Sequence, residues 1–156
     1  MIGALMTTFE KTMQVAFSQQ QMYALVADVA AYPAFLPWCR RVEILAEEDG
    51  GKRVRIELQQ PHPVPLSITT HARFDPPHAV NLQLVEGSFL SAFRGEWQFA
   101  PLTAQSCQVT LRVSYRFSNR LLKMALSPFF SMVVTMMPQL FLRRARRIYA
   151  STSDAP

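Results

Sequence analysis

The sequence predicts an α+β fold: a seven-stranded antiparallel sheet wrapped around a long C-terminal helix, with two short helices after the first strand. Three observations predict it. Between residues 42 and 117 apolar and polar side chains alternate with a period of two, interrupted by turn-forming stretches. The end of the chain carries one long apolar run, and a sheet with one wet face must cover its other face with something of that length. The chain has 156 residues, 49% hydrophobic and 17% charged, enough for one domain with a real core and too apolar for a disordered polymer.

The elements follow in order. Met13, Val15 and Phe17 alternate with Gln14 and Ala16 as a first strand, so residues 1–11 read as an N-terminal extension, disordered and outside a single domain at 12–150. Ser18 opens a helix and Gln21 completes a capping box. Met22, Leu25, Val26 and Val29 then form one apolar face. The helix must loosen before Pro33, because a residue preceding proline disfavours the helical region. Residues 32–38 therefore make a bent, partly helical connection.

Six strands follow. Val42, Ile44 and Ala46 lead into the turn EEDGG (47–51), and Val54, Ile56 and Leu58 return from it. After PHPVP (61–65), Leu66, Ile68, Thr70, Ala72 and Phe74 share a face; FDPPH (74–78) turns the chain into Val80, Leu82 and Leu84. Phe93, Gly95, Trp97 and Phe99 form the next strand. The last has Cys107, Val109, Leu111, Val113, Tyr115 and Phe117 inside. Asn119 ends the strands. Ser127 and Pro128 read as an N-cap and first helical position, opening a helix that runs to about Tyr149 with a bend at Pro138. Residues 151–156 read as a disordered tail.

Net charge is +5 with a pI near 9.7, which favours anionic partners such as phospholipid headgroups or RNA. Cys39 and Cys107 fit no metal spacing and read as reduced, buried thiols of a reducing compartment. The start MIGALMTTFEKT lacks the basic and long apolar regions of a secretory leader, and Met6 and Met13 are further candidate starts beside Met1. The expected location is cytoplasmic, peripheral at the inner membrane. MALSPFFSMVVTMMPQLFL (124–142) is uncharged over about the length of a membrane span. Polar residues nevertheless recur every fourth position from Lys123 through Ser127, Ser131, Thr135 and Gln139 to Arg143 and Arg147. That row drifts by about 40° per step, and a buried core helix is preferred to a tail anchor.

GxGxxG, P-loop, HExxH and GxSxG motifs are all missing from the sequence. His62 and His78 fall in turns and His71 on a wet strand face, without metal or triad spacing. Asp28 is the one acid beside the apolar connection and reads as a solvated helix end. What the sequence does offer is apolar. Tyr32, Pro33, Phe35, Leu36, Pro37 and Trp38 are either a core plug or the roof of a cavity. Phe93, Gly95 and Trp97 would line that cavity from the sheet, with Gly95 leaving room for close approach. Phe129, Met132, Val133 and Met136 would line it from the helix, where methionine adapts to variable shapes.

With DVAAYPAFLPWC (28–39) in view, the chain resembles the START-like family of coenzyme Q-binding proteins and the ribosome association toxin RatA, also known as polyketide cyclase/dehydrase and lipid-transport proteins. The resemblance rests on LVADV (25–29), YPAFLPWC (32–39), EGSF (86–89), RGEWQF (94–99), CQV (107–109), RFSN (116–119) and RRARRIY (143–149), in order along nearly the whole chain. Many members carry proline where Ser88 stands and leucine where Phe93 stands, and the terminal helix is richer in methionine here. The resemblance implies a helix-grip (START/Bet v 1-like) fold with a hydrophobic cavity. It implies binding of ubiquinone or a similar polyprenyl lipid, without a required cofactor or metal, in support of respiratory electron transport. For the toxin branch it implies docking on the large ribosomal subunit and blocked subunit joining; a cyclase-like enzyme is the third alternative. Arg40, Arg41, Arg143, Arg144, Arg146 and Arg147 would meet the anionic partner, whether headgroups or ribosomal RNA, and no DNA partner is expected.

Overall fold

The computed structural model describes residues 6–48, 50–59, 66–87 and 89–153. The elements are β1 (Thr7–Val15), α1 (Gln19–Ala27), a 3₁₀ segment (Val29–Ala34), β2 (Cys39–Glu48), β3 (Gly51–Leu58), β4 (Leu66–Asp75), β5 (Ala79–Gly87), β6 (Leu90–Thr103), β7 (Ser106–Phe117) and α2 (Arg120–Ser153). One antiparallel sheet runs in the order β1-β7-β6-β5-β4-β3-β2. The expected seven strands, two short helices and long terminal helix are all present.

This order dictates where the first helices lie. β1 and β2 are consecutive in sequence yet form opposite edges of the sheet, so residues 16–38 must cross from one edge to the other. The capping box starts that crossing: Gln21 N–H donates to Ser18 Oγ at 3.1 Å, and Ser18 N–H donates to Gln21 Oε1 at 2.9 Å. Gln19 anchors α1 to β6 by donating to the Phe99 carbonyl at 2.9 Å. At its far end α2 is tied back to α1 by Tyr149, whose hydroxyl donates to the Gln21 carbonyl at 2.8 Å.

The inner faces read from alternation are buried as expected on β3 to β7, with Val54, Ala72, Val80 and Cys107 each 0% exposed. β2 departs from it. A register shift between Ile44 and Ala46 leaves Ile44 and Leu45 exposed, because an extra residue on an edge strand breaks the alternation. At the β2–β3 turn Gly50 has φ 73°, the left-handed region that favours glycine. A Cβ on Gly51 would lie 2.0 Å from the Ala72 carbonyl oxygen, so that position admits only glycine. Asp49, residues 60–65 (with His62) and Ser88 lie outside the described residues.

Three boundaries are corrected. β1 begins at Thr7, so residues 7–11 belong to the sheet and not to an extension. Their pairing is polar, with hydroxyl contacts Thr8–Ser114 at 3.3 Å and Thr12–Thr110 at 3.2 Å, so hydrophobic alternation gave no sign of it. α2 begins at Arg120 and not at Ser127: Asn119 is the cap, its Oδ1 accepting from Leu122 N–H at 2.8 Å. Pro128 and Pro138 both lie inside the helix. The helix also runs on through Ser153, into the expected tail; residues 154–156 lie outside the described residues.

Candidate functional site: an apolar cavity under an aromatic lid

The concave face of the sheet, α2 and residues 32–39 enclose a cavity of about 70 Å³ with an almost wholly apolar wall. Tyr32, Leu36, Trp38 and Cys39 form its roof. Ile56, Leu58, Ile68, Leu82, Phe93, Gly95, Trp97, Leu111 and Val113 come from the sheet, and Phe130, Val133, Val134, Met137 and Phe141 from α2. The space admits a few atoms. Ligand pockets typically measure roughly 300–1,000 Å³, so a polyprenyl lipid needs the cavity to widen.

Of the residues expected at this site, Tyr32, Leu36, Trp38, Phe93, Gly95, Trp97 and Val133 line the cavity. The others do not. Pro33 and Pro37 are exposed at the outside of the roof, and Phe129 is half-buried beside the wall. Met132 and Met136 point to solvent, which corrects their expected place. Their positions are taken by Phe130, Val134, Met137 and Phe141, at helical spacings of four, three and four. The phase was illegible because apolar residues surround the helix and its polar row winds. The strand lining residues missed were already visible as inner-face positions of the alternation.

Aromatic contacts hold the roof down. Phe141 meets Tyr32 at 5.4 Å, Phe35 at 5.0 Å and Trp97 at 4.9 Å between ring centroids, all edge-on. Phe35 is half-buried against Phe141, and the Arg144 guanidinium lies 5.1 Å from its ring centre. Within the roof, Leu36 N–H donates to the Tyr32 carbonyl at 2.9 Å and Cys39 N–H to the Leu36 carbonyl at 3.0 Å. Gln59 N–H donates to the Trp38 carbonyl at 2.7 Å, stitching its end to β3.

The polar chemistry at the wall is muted. Tyr32 donates its hydroxyl to the Val26 carbonyl, and burial pushes its pKa far up, with the nearby Cys39 and Asp28 adding to the shift. Burial raises the Cys39 thiol to about 11, against a smaller lowering by a hydrogen bond from the Arg41 backbone. Both side chains therefore stay protonated at neutral pH, and Cys39 is a poor nucleophile. Asp28 is exposed at the C-cap of α1. His71 Nε2 lies 3.2 Å from the Glu48 carbonyl on the outer sheet, and His78 Nδ1 lies 3.4 Å from Gln19 Nε2. Among the described residues no cluster of His, Cys, Asp and Glu could hold a metal ion. Thr70, 0% exposed on the inner face of β4, has no hydrogen-bond partner for its hydroxyl among the described residues.

The expected anionic-contact arginines fall in two places. Arg40 and Arg41 begin β2, where Arg41 pairs with Glu57 at 3.7 Å and Glu43 at 4.0 Å. Arg143, Arg146 and Arg147 are exposed on the last turns of α2, whereas Arg144 turns inward over Phe35.

A sheet gripping a helix around a lidded apolar cavity defines a helix-grip domain of the START/Bet v 1 type. The chain belongs to the polyketide cyclase / dehydrase and lipid transport family, which matches residues 15–141. It is 33% identical over 135 residues to the ribosome association toxin RatA of Vibrio cholerae, covering 86% of this chain and 92% of that protein. It is 30% identical over 152 residues to the mitochondrial coenzyme Q-binding protein COQ10 homolog B of Xenopus laevis, covering 96% of this chain and 62% of that protein. Among solved structures it is similar to the ZhuI aromatase/cyclase of Streptomyces sp. R1128, with a TM-score of 0.81 at 21% identity over 94% of this chain and 98% of that one. That last likeness speaks for the fold alone. The names of these two relatives divide between ribosome association and coenzyme Q binding.

Proposed function

We propose that the protein is a non-catalytic carrier that holds ubiquinone or a similar polyprenyl lipid in its cavity and supports respiratory electron transport. The observation that carries this reading is the wall itself: apolar on every side, free of charged side chains, and closed by a roof held mainly through ring contacts. Such a wall favours an apolar guest by shape and dispersion and offers nothing to a charged one. The similarity to a coenzyme Q-binding protein supports the choice of a quinone. The present volume is the closed form, and the guest enters as the roof separates from α2, a minor state that a ligand would populate. Lipid extracted from the purified protein and identified by mass spectrometry tests the reading; quinone at near one-to-one occupancy is expected. A reproducibly empty protein that also fails to take up added quinone overturns it.

The second reading is a translation inhibitor that docks on the large ribosomal subunit. The similarity to RatA, spanning nearly all of both chains, favours it, and Arg40 with the exposed α2 arginines would supply phosphate contacts. Such binding falls steeply with salt, so co-sedimentation with large subunits at two ionic strengths is the test; no salt-sensitive pelleting rejects it. A cyclase-type reaction needs placed acid–base groups. Tyr32 and Cys39 are held protonated at the wall and supply neither the base nor a nucleophile such a reaction needs; turnover abolished by Asp28→Asn would revive it.

A further inference from the structure

α2 buries one side against the cavity, yet its opposite side is not the polar surface a solvated helix needs. Leu121 is 76% exposed, Met124 71%, Met132 44% and Met136 39%, with exposed Ala125 and Pro128 between them. The helix is long and apolar enough to cross a membrane by length and composition, and only 39% of its most apolar window is buried. Positions 121, 124, 128, 132, 136, 139, 143 and 146 fall within an arc of roughly 120° on a helix turning about 100° per residue. Along that arc the chemistry changes once. Within it, residues 121–136 give a mainly apolar strip about 22 Å long, broken only by Thr135; Arg143, Arg146 and, just beside the arc, Arg147 follow it, exposed. Arg120 and Lys123 are exposed near the other end but fall outside this arc, Lys123 on the opposite side of the helix, and residues 120–153 contain no Asp or Glu at all.

We propose that this exposed face of α2 is a membrane-docking surface that lies flat in the headgroup region of an anionic bilayer, its methionine strip among the acyl chains and Arg143, Arg146 and Arg147 on the headgroups. Charge complementarity selects this occupant. A second copy docking through the same face would set arginines against arginines when parallel and against the apolar strip when antiparallel, with no acid on the helix to relieve either. A nucleic acid would leave the long apolar centre without a phosphate partner. A bilayer interface supplies both chemistries side by side: apolar chains under the methionine strip and anionic groups beside the arginine end. The inference rests on the carrier reading, because it assigns the surface from which a lipid guest is exchanged.

The test is flotation of the purified full chain with vesicles of phosphatidylcholine alone or mixed with phosphatidylglycerol, with quinone uptake measured on the same samples. The wild type is expected to float with the anionic vesicles and weakly with the neutral ones. Met124→Glu/Met132→Glu is expected to lower flotation about tenfold or more. Arg143→Glu/Arg146→Glu/Arg147→Glu is expected to remove the dependence on anionic lipid, and provides the test if the first variant fails to fold by circular dichroism. Wild type that stays with the soluble fraction, or a folded double variant that floats as well, overturns the proposal. So does a dimer in sedimentation that shields the methionines, or salt-sensitive ribosome pelleting lost in the same variants without flotation. Quinone uptake without flotation overturns the docking surface and leaves the carrier; flotation without quinone uptake does the reverse.

Discussion

The two ends of the buried side of α2 are pinned by the same kind of contact, yet different structures stand behind the rings. Phe130 meets Tyr115 at 4.7 Å, Phe117 at 6.0 Å, Phe89 at 6.2 Å and Phe93 at 6.4 Å. Three of those partners sit on β6 and β7, which pair with each other over most of their length. Phe141 instead meets Trp97 from β6 together with Tyr32 and Phe35 from the roof. Among the described residues the roof has a few local hydrogen bonds and, behind it, the Trp38–Gln59 stitch to the end of β3. Equal contacts on unequal supports make one end of the helix an anchor and the other a latch, with Val133, Val134 and Met137 spanning the cavity between.

The largest expected effect breaks the anchor. Phe130→Ala removes a ring that is 3% exposed and is expected to cost about 3–5 kcal/mol, read as a lower urea midpoint. Phe35→Ala releases the latch with less damage, since that ring is only half-buried. About 1–2 kcal/mol of stability is expected to go, while quinone association and dissociation become faster in stopped-flow tryptophan fluorescence. If Phe35→Ala slows exchange, the roof is not the gate.

A smaller effect concerns the orphan hydroxyl of Thr70. Thr70→Val keeps its shape and removes a buried unpaired group, so thermal unfolding is expected to show about 1 kcal/mol of added stability in the empty protein. A loss instead would mean that a partner satisfies Thr70. The last effect is a pH dependence. The Cys39 thiol sits at about 11 in the fold against 9.0 as a free group. In that window the unfolded chain loses the proton while the folded chain keeps it, so stability is full below pH 9 and falls as pH rises toward 11. Tyr32, raised further by burial, adds to the decline above pH 10. A Cys39→Ala variant is expected to give a shallower decline in alkaline urea titrations.

The strand and roof partners of both the anchor and the latch were more legible in the sequence than the helix rings that meet them, for a physical reason. Strand side chains alternate with a period of two, so Phe93, Trp97, Leu111, Val113, Tyr115 and Phe117 declared their face without ambiguity. The roof residues Tyr32, Leu36 and Trp38 were legible because so much apolar surface in a proline-broken connection has to be covered. α2 hid its phase. With Leu121, Met124, Met132 and Met136 apolar on the outside and Phe130, Val134, Met137 and Phe141 apolar on the inside, hydrophobicity cannot tell in from out. Its start was hidden too, since Pro128 imitates a first-turn proline and Asn119 looked like the end of a strand. β1 was read short because its outer pairing is made by hydroxyls and charges, which leave no periodic signal.

The most direct measurement is hydrogen exchange of residues 29–38 compared with β6 and β7, with and without ubiquinone. The anchor-and-latch account predicts that the roof amides exchange much faster than the strand amides in the empty protein and become protected when quinone is added. Roof amides that exchange as slowly as the β6–β7 pair, and that do not respond to quinone, would contradict it.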